Sequence, residues 1–233
     1  MIITVDGPAA SGKSTLARLL AQRFNFFYLN SGLLYRAVAY ILINNCAYEL
    51  EKLANPDPIQ LQLYIDPKRI VYDYDKDYRE RVFFDGQDIT PLLKTSFIDK
   101  GASIVSTNEI VREQLLDIMR MVPQKFKVVA EGRDMGTVVF PEANFKIYLT
   151  APIEVRAKRW QKEQEEKGIG FTLDEAIGAL KERDKRDKER KIAPLTIPDD
   201  AIIVDNADLD IMQTLEHVVS LIQRNKMIEA KSE

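Results

Sequence analysis

A glycine-rich segment near the start of the chain restricts the possible folds. It is Gly7-Pro8-Ala9-Ala10-Ser11-Gly12-Lys13-Ser14 and matches G-x-x-x-x-G-K-[ST]. The β-branched residues Ile2–Val5 before it predict a buried strand, and apolar residues at helical spacing follow it from Thr15 to Phe24. In such a unit the loop N–H groups and the helix N-terminus surround phosphate oxygens. The segment therefore predicts a phosphate-binding loop, with Lys13 reaching the β- and γ-phosphates and the Ser14 hydroxyl ligating Mg²⁺.

The composition indicates a globular protein. The chain has 233 residues, of which 45% are hydrophobic, enough for one substantial core with or without inserted lobes. A net charge of -3 argues against a dedicated nucleic-acid-binding protein, and there is no run of eighteen apolar residues to span a membrane. A single cysteine, Cys46, excludes an intrachain disulfide, and the chain enters a strand with no room for a signal peptide. We therefore expect a cytoplasmic location.

Five predicted strands alternate with predicted helices. The predicted strands are Ile2–Asp6, Phe26–Leu29, Lys127–Glu131, Phe145–Thr150 and Ala201–Asp205. The predicted helices are Lys13–Phe24, Gly32–Asn44, Ile110–Val122, Pro152–Lys167, Thr172–Lys191 and Asp208–Met227. This alternation is typical of a parallel sheet with helices on both faces, whose ligands bind beyond the carboxyl ends of the strands.

Two regions interrupt the alternation. Between Asn55 and Asp88, three segments with loose period-two alternation predict a small antiparallel sheet, which either decorates the surface or encloses a second substrate. These segments are Leu61–Ile65, Ile70–Tyr74 and Arg81–Gly86. From Pro152 to Ile197 the chain is dense in charge, and a capping box at Thr172–Glu175 starts its second helix. Composition alone favours a solvated helical pair here; the alternative is a lid that folds over phosphates.

Charged residues near the predicted strand ends are candidates for binding a phosphate acceptor. Arg133 and Asp134 follow the third predicted strand and either face the site or form a structural ion pair. Ser31 follows the second strand as a predicted helix N-cap, with Arg36 one turn later.

One face of a predicted helix also carries candidates. Arg183, Asp187 and Arg190 fall at i, i+4 and i+7, which places them side by side. They either bind a sugar and a phosphate together or pair with each other on an exposed surface.

Taken in order, these segments resemble the cytidylate kinase family of bacterial nucleoside monophosphate kinases over nearly the whole chain. The strings that carry the resemblance are Asp6-Gly7-Pro8, Ser31-Gly32-x-x-Tyr35-Arg36, Gly132-Arg133-Asp134-Met135-Gly136-Thr137-Val138-Val139-Phe140-Pro141, Glu182-Arg183-Asp184-x-Arg186-Asp187 and Ala193-Pro194-Leu195. The resemblance implies an α/β P-loop kinase core with a five-stranded parallel sheet and helices on both faces, a monophosphate-binding lobe with a small antiparallel sheet, and a helical lid. It implies a single domain over residues 1–233, with the core at 1–30, 123–151 and 192–233, the lobe at about 31–122 and the lid at about 152–191.

The resemblance also implies roles for individual residues. The ATP-binding residues are Gly7, Pro8, Ala9, Ala10, Ser11, Gly12, Lys13, Ser14 and Thr15, with Ser14 also a metal ligand. The acceptor phosphate is assigned to Ser31, Arg36, Arg133 and Arg190, the cytosine to Ser103, Arg112 and Asp134, and the sugar to Arg183 and Asp187. The catalytic residues are Lys13, Arg133 and the lid arginines Arg156 and Arg159. Asn30 replaces the aspartate that usually precedes the Ser-Gly pair, which removes one carboxylate near the metal.

The activity implied by the resemblance is transfer of the γ-phosphate of ATP to CMP or dCMP, with Mg²⁺ bridging the donor's β- and γ-oxygens. The expected partners are these nucleotides, without nucleic acid or membrane, and the expected state is a monomer. One rival is a kinase for UMP or AMP, and Asp134 and Ser103 are the residues that should discriminate between these acceptors. Another is a non-catalytic P-loop switch, which does not need arginines at separate acceptor positions.

Overall fold

The computed structural model describes residues 1–166 and 168–232, with residues 226–232 described by their backbone alone. Its centre is a parallel sheet made of β1 (Ile2–Asp6), β2 (Phe27–Asn30), β6 (Val128–Gly132), β7 (Phe145–Thr150) and β8 (Ile202–Asp205). The strand order is β2-β6-β1-β7-β8. All five predicted strands are confirmed, and no bound moves by more than one residue.

Helices cover both faces of this sheet. On one face, α1 (Lys13–Phe24) and α8 (Ile211–Ser232) share a core that includes Val129. On the other, α2 (Ser31–Cys46) and α5 (Glu109–Lys125) share a core that includes Val128 and Ala130. Consecutive β6 side chains therefore enter different cores, as the two-residue period of a strand requires. The predicted end of α5 at Val122 is too early, because the helix continues through Pro123 to Lys125.

The inserted lobe contains the expected antiparallel sheet, but its strands are not all the predicted ones. They are β3 (Ile70–Tyr74), β4 (Glu80–Phe84) and β5 (Gln87–Asp88). The strand predicted at Leu61–Ile65 is wrong, because most of that segment lies in helix α3 (Pro58–Tyr64). Asp57 caps this helix by accepting hydrogen bonds from the N–H groups of Ile59 and Gln60, a local signal that overrides weak alternation.

A further helix, α4 (Ser96–Val105), was not predicted. Thr95 caps it by accepting a hydrogen bond from Ile98 N. The remaining short elements are 3₁₀ turns at Leu50–Ala54 and Thr90–Leu93 and a π-helical turn at Met135–Val139.

The charge-dense region forms two helices, α6 (Ile153–Glu165) and α7 (Leu173–Glu189). The capping box predicted at Thr172 is confirmed, with reciprocal hydrogen bonds between Thr172 and Glu175. The predicted end of the first helix at Lys167 lies outside the described residues. Ala157, Ala176 and Leu180 pack with Ala9 of the glycine-rich loop, so these two helices rest on that loop.

Candidate active site

The glycine-rich loop connects β1 to α1 at the carboxyl edge of the parallel sheet. Gly7 has φ 153°, and a Cβ on it would lie 2.1 Å from the Leu149 carbonyl oxygen, so no larger residue fits there. Gly12 adopts a left-handed conformation with φ 89° and directs the chain into α1. Ser14, at the start of α1, is exposed.

Lys13 is buried at the base of this loop. Its Nζ donates to the Pro8 carbonyl oxygen at 3.2 Å and lies 3.6 Å from Glu131 Oε1. Burial, together with the neighbouring positive charge of Arg133, lowers the pKa of Lys13 to about 7, and the Glu131 carboxylate opposes this shift. The ammonium thus lacks sufficient counter-charge, which the phosphates of a nucleotide can supply.

Glu131 is a site residue that the sequence analysis missed. It lies at the end of β6, in register with Val5 of β1, and accepts a hydrogen bond from Tyr28 Oη at 3.0 Å. The available signal was its position just before the Gly132-Arg133-Asp134 string, at a strand end beside the loop.

Ser31 contacts the same strand end. Its Oγ donates to the Glu131 carbonyl oxygen at 2.8 Å. The prediction that Ser31 is a helix N-cap is wrong, because α2 begins at Ser31 itself and Asn30 holds the cap position without a side-chain cap bond. The Ser31 hydroxyl instead links α2 to β6 through this hydrogen bond.

Asp6 fixes the turn that follows β6. Its carboxylate accepts hydrogen bonds from Met135 N at 2.9 Å and Gly136 N at 2.7 Å. Burial raises the pKa of Asp6 to about 7, although these two N–H groups favour the ionised form. This contact places Arg133 and Asp134 beside the glycine-rich loop.

Asp134 lies at the centre of a buried charge cluster. Its Oδ2 accepts from Arg112 Nη2, and its Oδ1 lies 3.4 Å from Arg190 Nη2. Arg112 also donates to the Ser106 carbonyl oxygen at 3.1 Å, which ties it to the end of α4. In the part of the chain that the structure describes, the buried Ser103 Oγ on α4 has no hydrogen-bond partner. An unpaired buried hydroxyl of this kind is suited to a ligand.

A second ion pair joins the strand ends to α7. Arg133 Nε donates to Asp187 Oδ2 at 2.8 Å. Burial acts to raise the pKa of Asp187, but Arg133, Arg183 and Arg190 outweigh it and hold that pKa below its usual value. Arg133 therefore pairs with Asp187. The alternative of a structural ion pair between Arg133 and its neighbour Asp134 is wrong.

Arg36 and Arg183 meet at a third carboxylate. Arg36 Nη2 lies 2.6 Å from Asp99 Oδ1, and Arg183 Nη1 lies 3.1 Å from Asp99 Oδ2. The structure therefore brings α2 and α7 to the same residue of α4, which the sequence analysis did not identify as a site residue.

Arg156 and Arg159, which are predicted to act from a lid, have different surroundings. Arg156 Nη1 donates to Asp184 Oδ2 at 2.7 Å and to the Ala9 carbonyl oxygen at 3.0 Å, and thus contacts the glycine-rich loop directly. Arg159 donates instead to Asn206, through its Nη1 at 2.9 Å and its Nη2 at 2.8 Å. Asn206 in turn donates to the Ser11 carbonyl oxygen at 3.1 Å, so Arg159 reaches the loop only indirectly.

These features define a P-loop kinase: strand β1, the glycine-rich loop that follows it, the buried lysine, and the surrounding arginines that pair with carboxylates. Within residues 1–166 and 168–232, none of the helices combines the length and apolar character needed to cross a bilayer.

Comparison with known proteins narrows this class. The family profile described as cytidylate kinase matches residues 3–224, so the chain belongs to the cytidylate kinase family. A cytidylate kinase of Thermotoga neapolitana is 39% identical over 222 residues, which cover 95% of this chain and 96% of that protein. One from Caldanaerobacter subterraneus subsp. tengcongensis is 37% identical over 224 residues, covering 96% and 95% respectively.

A solved structure also shares the fold. It is that of an uncharacterized protein from Eubacterium ventriosum, with a TM-score of 0.53 at 13% identity, over 96% of this chain and 98% of that one. At this level of identity the likeness concerns the fold alone.

Proposed function

We propose that this member of the cytidylate kinase family transfers the γ-phosphate of ATP to CMP or dCMP, giving ADP and CDP or dCDP. The observation that carries the proposal is the buried Asp134, held between Arg112 and Arg190 beside the glycine-rich loop. Family membership over residues 3–224 supports the same reaction.

The donor nucleotide occupies the glycine-rich loop. The loop amides from Gly7 to Thr15 and the N-terminus of α1 face its phosphates, and the Lys13 ammonium neutralises charge on the β- and γ-oxygens. The pKa of Lys13, which burial lowers, rises when those phosphates bind, so the residue binds them in its charged form.

The acceptor binds across the neighbouring strand ends and α7. Arg36, Arg133 and Arg190 bind its phosphate, and Ser31 supports them from the start of α2. Arg183 and Asp187 contact the sugar. Each of these arginines already pairs with a carboxylate. These pairs support the proposal, because a phosphate oxygen of the ligand can accept from the same guanidinium donors.

The base lies against Asp134, Arg112 and Ser103. Cytosine presents an N4 amine, which donates, together with the N3 and O2 acceptors. A carboxylate can only accept, so Asp134 suits the amine, and Arg112, which can only donate, suits the ring acceptors. The unpaired Ser103 hydroxyl adds a group that serves as donor or acceptor.

The transfer needs positioning and charge stabilisation more than covalent help from the protein. Lys13 and Arg133 stabilise charge that develops on the transferred group, and Arg156 and Arg159 remain predicted to do so from the lid. Closure of the lid excludes water, which competes as an acceptor.

Mg²⁺ fits this site. The exposed Ser14 hydroxyl at the start of α1 is a hard oxygen donor, the kind of ligand that this ion prefers. When bound with ATP, the ion would neutralise negative charge on the β- and γ-phosphate oxygens.

The same proposal includes one domain with the core at 1–30, 123–151 and 192–233, the monophosphate-binding lobe at about 31–122 and the lid at about 152–191. We propose that it acts as a cytoplasmic monomer on nucleotides without binding nucleic acid. Its net charge of -3 supports the absence of nucleic-acid binding, and its free cysteine Cys46 supports the cytoplasmic location.

The test is ADP release from ATP and Mg²⁺, measured with and without CMP. We expect ADP to form at a catalytic rate only when CMP is present, with one CDP per ADP. ADP release that is equal in both reactions, or that is stimulated by a macromolecule and not by CMP, would favour a P-loop switch and contradict the proposal.

A further inference from the structure

Asp99 occupies a position between two arginines that come from different parts of the molecule. It lies on α4, whereas Arg36 lies on α2 and Arg183 on α7. One carboxylate oxygen contacts each guanidinium group, at 2.6 Å for Arg36 and 3.1 Å for Arg183. A single carboxylate thus bridges the lobe and the lid.

This bridge is open to solvent in part. The side chain of Asp99 is 33% exposed, and those of Arg36 and Arg183 are 30% and 29% exposed. A ligand can therefore reach the guanidinium groups without unfolding the surrounding helices. The Arg133–Asp187 and Arg112–Asp134 pairs are more deeply buried.

Asp99 carries a permanent negative charge. Burial acts to raise its pKa, but Arg183 and Arg36 outweigh that effect and lower the pKa to about 2. The carboxylate is therefore ionised at neutral pH.

Asp134, Asp187 and Asp99 are the three carboxylates around the proposed acceptor site, and they differ in which group of the ligand they can bind. Asp134 meets the amine of the base, and Asp187 meets the sugar hydroxyls. Asp99 pairs with Arg36 and Arg183, which the proposed function uses for the phosphate and the sugar, and an anion gains nothing from a carboxylate beside it. Carboxylate and phosphate oxygens accept from the same guanidinium donors, so they compete.

We propose that Asp99 is a resident counter-ion of the acceptor site, which the nucleotide must displace from Arg36 and Arg183, and that it thereby weakens acceptor binding. The inference rests on the proposed function, because it takes these two arginines as acceptor ligands. Before the acceptor binds, Asp99 neutralises both guanidinium groups; in the complex, oxygens of the acceptor replace its carboxylate as the hydrogen-bond acceptors of these groups.

The experiment compares Asp99→Asn and Asp99→Ala with the unsubstituted enzyme. Calorimetry measures the Kd of CMP and of cytidine, and steady-state kinetics measure the KM for CMP and for ATP. We expect the Kd and KM for CMP to fall by about fivefold, the size of one partly exposed charge pair. The Kd of cytidine, which lacks the phosphate, should fall by a smaller factor, and the KM for ATP should stay unchanged. Asp117→Asn, which removes an exposed carboxylate from α5, is the matched control and should change none of these values.

Three results would overturn the inference. Weaker CMP binding in both variants means that Asp99 positions the arginines for the ligand. Equal tightening of CMP and cytidine means that the effect passes through the shape of the lobe. An unchanged Kd in both variants, each with a wild-type unfolding transition, means that Asp99 stays in place when CMP binds. Failure of the unsubstituted enzyme to phosphorylate CMP is a separate outcome, which would refute the proposed function itself.

Discussion

At the scale of single residues, Lys13 is held in an environment that disfavours its charge until a ligand arrives. It faces Glu131 at 3.6 Å, yet burial and the neighbouring Arg133 lower its pKa to about 7. A nucleotide's phosphates restore the charged form, so ATP binding above that pH is coupled to proton uptake. ATP affinity should then weaken as the pH rises from about 7 toward the ordinary lysine pKa of 10.5.

The corresponding prediction concerns Lys13→Ala. Calorimetry of ATP binding at pH 8, in buffers of different ionisation enthalpy, should show proton uptake by the unsubstituted protein and much less by the variant. The comparison is needed because Asp6, with its pKa raised to about 7, titrates in the same range. The variant should also lose about a hundredfold or more in kcat, as when one preorganised electrostatic donor is removed. Near-normal turnover in a folded variant would refute the assignment of Lys13.

At the scale of elements, α7 connects α6 and the glycine-rich loop to α4 and to the residues that follow β6. From this helix Arg183 contacts Asp99, Asp187 contacts Arg133, and Asp184 contacts both Arg156 and the Ala9 N–H, the last at 3.1 Å. Because Asp184 and Arg156 are both buried, the pair fixes α7 against α6 and the glycine-rich loop.

Asp184→Ala should therefore destabilise the fold. It leaves the Arg156 guanidinium and the Ala9 N–H without their acceptor, and uncompensated buried charge of this kind costs about 3–5 kcal/mol. Urea unfolding can be followed through Trp160, which packs against Phe171 at 4.8 Å between ring centres. Glu182→Ala, on the exposed side of the same helix, is the matched control and should change stability little. Equal stability of the two variants would show that the Asp184 bridge contributes nothing to the fold.

At the scale of the whole molecule, the sheet was predictable because its β-branched runs must be buried on both faces. Helix α3 was not, since weak alternation in Leu61–Ile65 concealed a cap at Asp57. The ion pairs made by Glu131 and Asp99 were not predictable, for another reason. Their partners Lys13, Arg36 and Arg183 are far away along the chain, and no spacing in a sequence marks such pairs.

We attribute the phosphorylation of a cytosine nucleotide to a base site that is built on Asp134. The most direct measurement is kcat/KM for CMP and UMP, in the unsubstituted enzyme and in Asp134→Asn, with both proteins checked for the same unfolding transition. Uracil presents the O4 acceptor where cytosine presents an amine, so the carboxylate should select CMP strongly. An amide presents either oxygen or nitrogen, and the CMP/UMP ratio should fall by about tenfold or more, mainly through weaker use of CMP. Preference for UMP in the unsubstituted enzyme, or a ratio that the substitution leaves unchanged, would contradict the account.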